Sequence, residues 1–223
     1  MKPLSNCRLY TFVDTGYLHG REPADVAQAL CDGGSDVIQL RAKASSPNDI
    51  RRMAEEILAV TSRAGVQLVI NDFPPIAQAV GAQLCHLGQE DFFEAGYTEV
   101  GQVLPAASPL KIGLSSHAPA QAERAVAAGA AYIAVGPIFA TSTKPGAKPV
   151  TLDYVRWAAR NVQIPWFAIG GINLENLGAV MKAGARRICV VSAILNAPDV
   201  AKACQEFKAR LDSFPCDADF DGP

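Results

Sequence analysis

The sequence predicts an α/β fold, a TIM (β/α)8 barrel in a single domain, and three observations carry that prediction. Apolar strand-like runs alternate with helical patterns from end to end, which implies a parallel sheet. Eight of each can be counted, and eight suits a closed barrel better than an open doubly wound sheet. A weak internal echo adds to this. Gly34-Ser35-Asp36, Gly81-Ala82-Gln83, Gly129-Ala130-Ala131 and Gly184-Ala185-Arg186 each lead into an even-numbered strand. Glycine is favoured just past a helix because it reaches the left-handed conformation. Its return at every other strand suggests four similar quarters.

In chain order the expected strands are 8–13, 36–41, 67–71, 83–87, 111–115, 132–135, 166–169 and 187–191. Each is a short apolar run with β-branched members, as a strand covered on both faces requires. The expected helices are 24–31, 48–64, 75–80, 95–104, 120–128, 152–160, 174–182 and 200–211. Ser46-Pro47-Asn48, Thr151 and Asn173 supply turn or N-cap residues at three of the starts. Over 48–64, Ile50, Met53, Ala54, Ile57 and Leu58 recur at helical spacing, with Arg51, Arg52, Glu55 and Glu56 on a solvated face. The barrel should occupy residues 1–213. The tail 214–223 is acidic and contains proline and glycine, and is expected to be disordered.

Composition narrows the function classes. The 223 residues are 49% hydrophobic and 19% charged, with net charge −2 and a pI near 5.9. That balance argues against a general nucleic-acid binder, so an anion site must be local. No apolar run approaches the roughly 20 residues of a membrane span. The stretch 1–6 lacks a signal-peptide core, and a cytoplasmic protein is expected. The six cysteines show neither CxxC nor metal-ligand spacing. Cys7, Cys85 and Cys189 fall at apolar strand candidates and read as packing residues.

In a barrel, chemistry gathers at the C-terminal ends of the strands. The second strand ends Gln39-Leu40-Arg41-Ala42-Lys43, and alternation puts Gln39, Arg41 and Lys43 on the interior side. Two cations there need an anion. The third ends Asn71-Asp72 and the fourth runs on to Asp91. Either aspartate alone could cap a helix or turn. As a pair at adjacent strand ends they suit magnesium, which takes one or two carboxylates plus water and phosphate oxygens. The fifth delivers Ser115 and His117. Ser115 suits a ligand hydrogen bond, whereas His117 reads first as a helix-entry residue, as His86 reads as strand packing and His19 as loop. Neither His86 nor His19 has a partner that reads as a triad.

The sixth strand leads into the most informative stretch, 135–146. Gly136-Pro137 breaks it, and Thr141, Thr143, Lys144 and Pro145-Gly146 follow. Hydroxyls, a cation and close backbone approach are what a phosphate needs, although alone the stretch also reads as a solvated turn loop. The seventh strand ends Gly170-Gly171 and the eighth Val191-Ser192, where barrels often hold a phosphate on backbone N–H groups. Two anion sites emerge. Arg41, Lys43 and Lys144 with Asp72, Asp91 and Mg2+ suit a diphosphate leaving group. Gly171, Val191 and Ser192, with Thr141 and Thr143 between, suit a monophosphate.

The segments 39–43, 70–72, 86–91, 136–139, 141–144, 169–172 and 191–194, in this order, resemble the thiamine phosphate synthase family. The resemblance runs from about residue 8 to 211 and implies a barrel transferase. Its reaction joins hydroxymethylpyrimidine diphosphate to thiazole phosphate and yields thiamine phosphate and pyrophosphate. By the same resemblance Gln39, Arg41, Lys43, Asn71, Ser115 and Lys144 would meet the pyrimidine diphosphate. Asp72 and Asp91 would hold magnesium, and Thr141, Thr143, Gly171, Val191 and Ser192 would meet the thiazole phosphate. Arg41, Lys43, Ser115 and Lys144 would carry the catalysis. Ala42 and Pro74-Pro75 depart from the usual family pattern. The expected route is dissociative: a carbocation forms at the pyrimidine methylene as pyrophosphate leaves, and the thiazole nitrogen captures it. The partners are then two small molecules, with no nucleic acid or membrane, and self-association is left open. A thiazole tautomerase-like isomerase and a catalytically silent phosphate-binding barrel are the alternatives.

Overall fold

The computed structural model describes residues 1–104, 108–141, 143, 146 and 148–214. Eight parallel strands close into a barrel in chain order. They are β1 (Leu9–Asp14), β2 (Val37–Arg41), β3 (Gln67–Asn71), β4 (Leu84–Leu87), β5 (Lys111–Ser116), β6 (Tyr132–Val135), β7 (Trp166–Ala168) and β8 (Ile188–Cys189). Closure pairs Leu9 with Ile188 and Tyr10 with Cys189. Around it run α1 (Pro23–Asp32), α2 (Pro47–Ala64), α3 (Pro74–Val80), α4 (Gln89–Phe93), α5 (Pro119–Ala127), α6 (Thr151–Asn161), α7 (Leu177–Lys182), α8 (Ser192–Leu195) and α9 (Val200–Asp212). The glycines of the fourfold echo, Gly34, Gly81, Gly129 and Gly184, all take positive φ, between 77° and 105°. A side chain there would be strained, so the echo marks real helix exits.

Helix α2 shows how sequence becomes structure. Ser46 caps it by accepting from the Asp49 amide at 3.2 Å, and Gly65 stops it at φ 69°. Ile50, Met53, Ala54 and Ile57 are buried, while Arg51 pairs with Glu55 and Arg52 with Glu56 on the wet face. Burial of the apolar stripe, at roughly 1.5–3 kcal/mol per large side chain, outweighs these exposed pairs.

Aromatic side chains fill the barrel. Tyr10 stacks on Phe12 at 5.3 Å, and Phe167 meets Tyr10 and Tyr132 edge-on at 5.3 and 5.7 Å. The Tyr132 ring fits because Gly113 faces it; a Cβ there would fall 2.1 Å from the ring. At the opposite, N-terminal end, buried Asp36 takes Lys2 at 2.6 Å, Lys208 at 3.3 Å and the amides of Arg8 and Leu9. Among the described residues no helix is long and apolar enough to cross a membrane.

Several expectations shift. The helix expected over 95–104 is not formed. Helix α4 starts earlier, directly after β4, where Gly88 opens it and Phe92 and Phe93 turn inward. Gly96 at φ 86° then interrupts the chain, leaving only a 3-10 turn over Val100–Val103. Cys7 is buried but precedes β1. Thr151 is the first residue of α6 at φ 64° and not its cap, although its hydroxyl accepts from the Asp153 amide. Asn173 caps the turn before α7, accepting from the amides of Glu175 and Asn176 at 3.0 Å. Helix α8 was not foreseen. Phe214 packs against the core, with its carbonyl bonded to Arg8; residues 215–223 lie outside the described residues.

Candidate active site

A cavity of about 210 Å³ opens at the C-terminal mouth of the barrel. Strand alternation sends Tyr10, Phe12 and Asp14 of β1 to the same side, and Gln39 and Arg41 of β2 stand beside Phe12 and Asp14 in register. Arg41 does not wait loose. Its guanidinium donates to Asp14 at 2.7 Å, and the other Asp14 oxygen accepts from the Gly16 amide at 2.9 Å. Asp14 thereby fixes the cation that faces the cavity. The strand pattern was read only to residue 13, so this carboxylate was missed; its place at a strand end was the available signal.

Lys43 Nζ lies 3.5 Å from Asp72, and Asn71 donates to the same carboxylate at 2.6 Å. Asp72 sits at φ 66°, in the left-handed region, with its amide on the His86 carbonyl. Strained backbone of this kind collects at functional sites. Burial raises the Asp72 carboxyl above its ordinary range, Lys43 opposes this, and the Asp91 charge raises it further. Two carboxylates thus crowd one mouth. Gly88 leaves the room Asp91 uses, since a Cβ there would fall 2.4 Å from the Asp91 oxygen. Mutually repelling carboxylates with open space beside them fit a divalent cation that takes its remaining ligands from phosphate and water. No cluster of three or more ligating side chains occurs among the described residues, so a metal there would depend on substrate oxygens.

The residues expected to hold a second anion are brought together by β6 to β8. Beyond Gly136-Pro137, a cis peptide, the chain stays tied to β7: the amides of Ile138 and Phe139 donate to the carbonyls of Ile169 and Gly170. A Cβ at Gly171 would fall 2.6 Å from the Ala140 carbonyl, so glycine lets these loops meet. Thr141 accepts from the Thr143 amide at 3.2 Å, and Tyr17 reaches over from the β1 loop to Thr143 at 3.1 Å. Gly171, Val191 and Ser192 complete the lining.

Of the expected site residues, Gln39, Arg41, Lys43, Asn71, Asp72, Asp91, Ser115, Thr141, Thr143, Gly171, Val191 and Ser192 all line this one cavity. Lys144 lies outside the described residues. His86 is not mere packing. It faces inward and meets Ser115 at 2.9 Å through Nε2 and Tyr132 at 3.1 Å through Nδ1. A phenol in place of a carboxylate makes this no triad, and burial pushes His86 down to about 4, too low for a general base near neutrality. His117 Nδ1 meets the Gly136 carbonyl, and its Nε2 stands 3.9 Å from Glu90.

The chain is similar to proteins already known. A family model described as thiamine monophosphate synthase matches residues 9–194. A thiamine-phosphate synthase of Thermus thermophilus is 46% identical over 190 residues, 84% of this chain and 88% of that protein. One from Acidothermus cellulolyticus is 42% identical over 211 residues, 93% of this chain and 96% of its own length. Among solved structures, a thiamine phosphate pyrophosphorylase from Pyrococcus furiosus superposes with TM-score 0.83 at 27% identity, covering 95% of this chain and 98% of that one.

Proposed function

This chain belongs to the thiamine monophosphate synthase family, a family of thiamine-biosynthesis transferases, and we propose how its cavity carries out that transfer. The pyrimidine diphosphate lies toward β2–β5, its diphosphate against Arg41, Lys43 and Lys144 and its ring against Gln39, Asn71 and Ser115. The thiazole phosphate lies toward β6–β8, its phosphate on Thr141, Thr143, Gly171, Val191 and Ser192. The single observation that carries this reading is the meeting of opposite charges at one mouth: Arg41 and Lys43 beside Asp72 and Asp91.

The reaction breaks the bond from the pyrimidine methylene to the diphosphate oxygen, and the electron pair leaves with pyrophosphate. The ring carries the resulting cation until the thiazole nitrogen donates its pair and forms the new C–N bond. Arg41, held by Asp14, and Lys43, held by Asp72, offer charge already aimed at the leaving oxygens, so little reorganisation is needed when charge develops. The second site holds the nucleophile in line. Magnesium, held by Asp72 and Asp91, would add neutralising charge for the diphosphate.

A thiazole tautomerase-like isomerase or a silent barrel would have no use for two carboxylates beside fixed cations. Purified protein is incubated with both substrates, with and without chelator. Pyrophosphate released only with magnesium and both substrates supports the proposal; chelator-independent release removes the metal from it. The partners are the two small molecules, and a reducing cytoplasm suits the described cysteines, all of them free thiols.

A further inference from the structure

Along the cavity wall five polar side chains form an unbroken line inside the apolar barrel. Gln39 Nε2 donates to the Tyr10 hydroxyl at 2.6 Å. The Tyr10 and Tyr132 hydroxyls are 3.0 Å apart. Tyr132 meets His86 Nδ1 at 3.1 Å, and His86 Nε2 meets Ser115 at 2.9 Å. Gln39, Tyr10, Tyr132 and His86 are all buried. We propose that this line is a one-way hydrogen-bond chain that fixes Ser115 as a donor toward a pyrimidine ring nitrogen, with Tyr10, Tyr132 and His86 as positioning residues.

The direction follows from the orientation of the Gln39 amide and then from counting hydrogens. Each phenol has one hydrogen to give, and burial holds both phenols well above their ordinary titration range. Tyr10 accepts from the Gln39 amide, so its own hydrogen goes to Tyr132. The alternative, Tyr10 accepting from both sides, leaves that hydrogen without an acceptor among the described residues. Tyr132 must then donate to Nδ1 of His86. With Nδ1 accepting from Tyr132, the ring's hydrogen sits on Nε2. Nε2 donates to one Ser115 lone pair, so the Ser115 hydrogen is not spent on His86 and is left for the cavity. Turning the Gln39 amide over would reverse every bond and make Ser115 an acceptor.

The chemistry explains why direction matters. Pyrimidine ring nitrogens present lone pairs, which a donor meets and an acceptor repels. A neutral chain also sets no cation against a ring that must itself carry positive charge. Desolvated networks strengthen their members, so one end can set the other. This inference rests on the substrate assignment above only for the identity of the acceptor; the polarity of the chain stands apart from it.

Two readouts test it. In protein labelled with 15N-histidine, His86 should give the nitrogen shifts of an Nε2–H tautomer at neutral pH. Tyr132→Phe keeps the ring in the slot left by Gly113 and removes only the hydroxyl, and should move His86 toward a tautomer mixture. The same variant, and Tyr10→Phe, should raise KM for the pyrimidine substrate roughly tenfold, the worth of one hydrogen bond. The KM for the thiazole substrate should stay close to wild type. An Nδ1–H tautomer in the wild type, or shifts unchanged in Tyr132→Phe, overturns the chain. Equal rises in both KM values reduce the tyrosines to packing. A wild type that releases no pyrophosphate overturns the substrate assignment and leaves the nitrogen shifts to judge the polarity.

Discussion

Replacing Asp14 by Asn keeps its size and its acceptor for the Gly16 amide but removes the charge that holds Arg41. The bond lost is 2.7 Å long, with Asp14 3% and Arg41 23% exposed at the side chain. Hydrogen bonds to charged groups contribute about 1.5–3 kcal/mol, and water recovers part of this for Arg41, leaving about 1–2 kcal/mol of lost stability. The kinetic effect should be of similar size. Deleting a preorganised donor outright takes about 2.7–4 kcal/mol from the transition state. Misplacing Arg41 should take about half, or roughly a ten- to thirtyfold fall in kcat/KM. Pyrophosphate release with both substrates measures it. In Arg41→Ala the Asp14 change should add almost nothing further, because residues that act through one contact are not additive. A kcat/KM within about twofold of wild type, or effects that simply add, would refute the idea that Asp14 acts through Arg41.

Gly88→Ala should push the Asp91 carboxylate aside and weaken the magnesium response at least severalfold, seen as a rightward shift of the magnesium titration with melting temperature little changed. Because burial first, and then Asp91, raises the Asp72 carboxyl, protons compete with metal there. Magnesium affinity should therefore fall as pH drops toward that raised value. Asp72→Asn should flatten this pH dependence, and an undiminished slope would reject it. At the far end of the barrel burial pushes Asp36 up, but Lys2 and the amides of Arg8 and Leu9 outweigh it and leave the carboxyl lowered. Its stability contribution is present above the ordinary carboxylate value near 3.8 and is lost as pH falls through the lowered one. Asp36→Asn should lower stability near neutrality by about 3 kcal/mol, measured by urea unfolding, with kcat unchanged.

The fold and much of the cavity were legible because parallel barrel strands are plain apolar runs and their last residues are where polarity breaks through. Gln39, Arg41 and Lys43 needed only the two-residue alternation of a strand. The region after β4 was misread because apolar spacing over 95–104 imitates a helix, while the deciding signals were single glycines, Gly88 and Gly96. What sequence could not show was who holds whom. Tyr10 and Tyr132 look like core aromatics, and their bond spans 122 positions. His86 meets Ser115 across 29. Nothing local to a tyrosine distinguishes a packed ring from a link in a polar chain. The Asp14–Arg41 pair depends on register between neighbouring strands, which closure of the barrel sets.

The most direct measurement is a crystal structure of the protein soaked with pyrophosphate and manganese, with the metal located by its anomalous signal. The expected result is manganese between Asp72 and Asp91, bridged to pyrophosphate whose remaining oxygens meet Arg41 and Lys43. Manganese elsewhere, or pyrophosphate seated on Thr141, Gly171 and Ser192 with Asp72 and Asp91 bare, would contradict the meeting of charges on which the catalytic proposal stands.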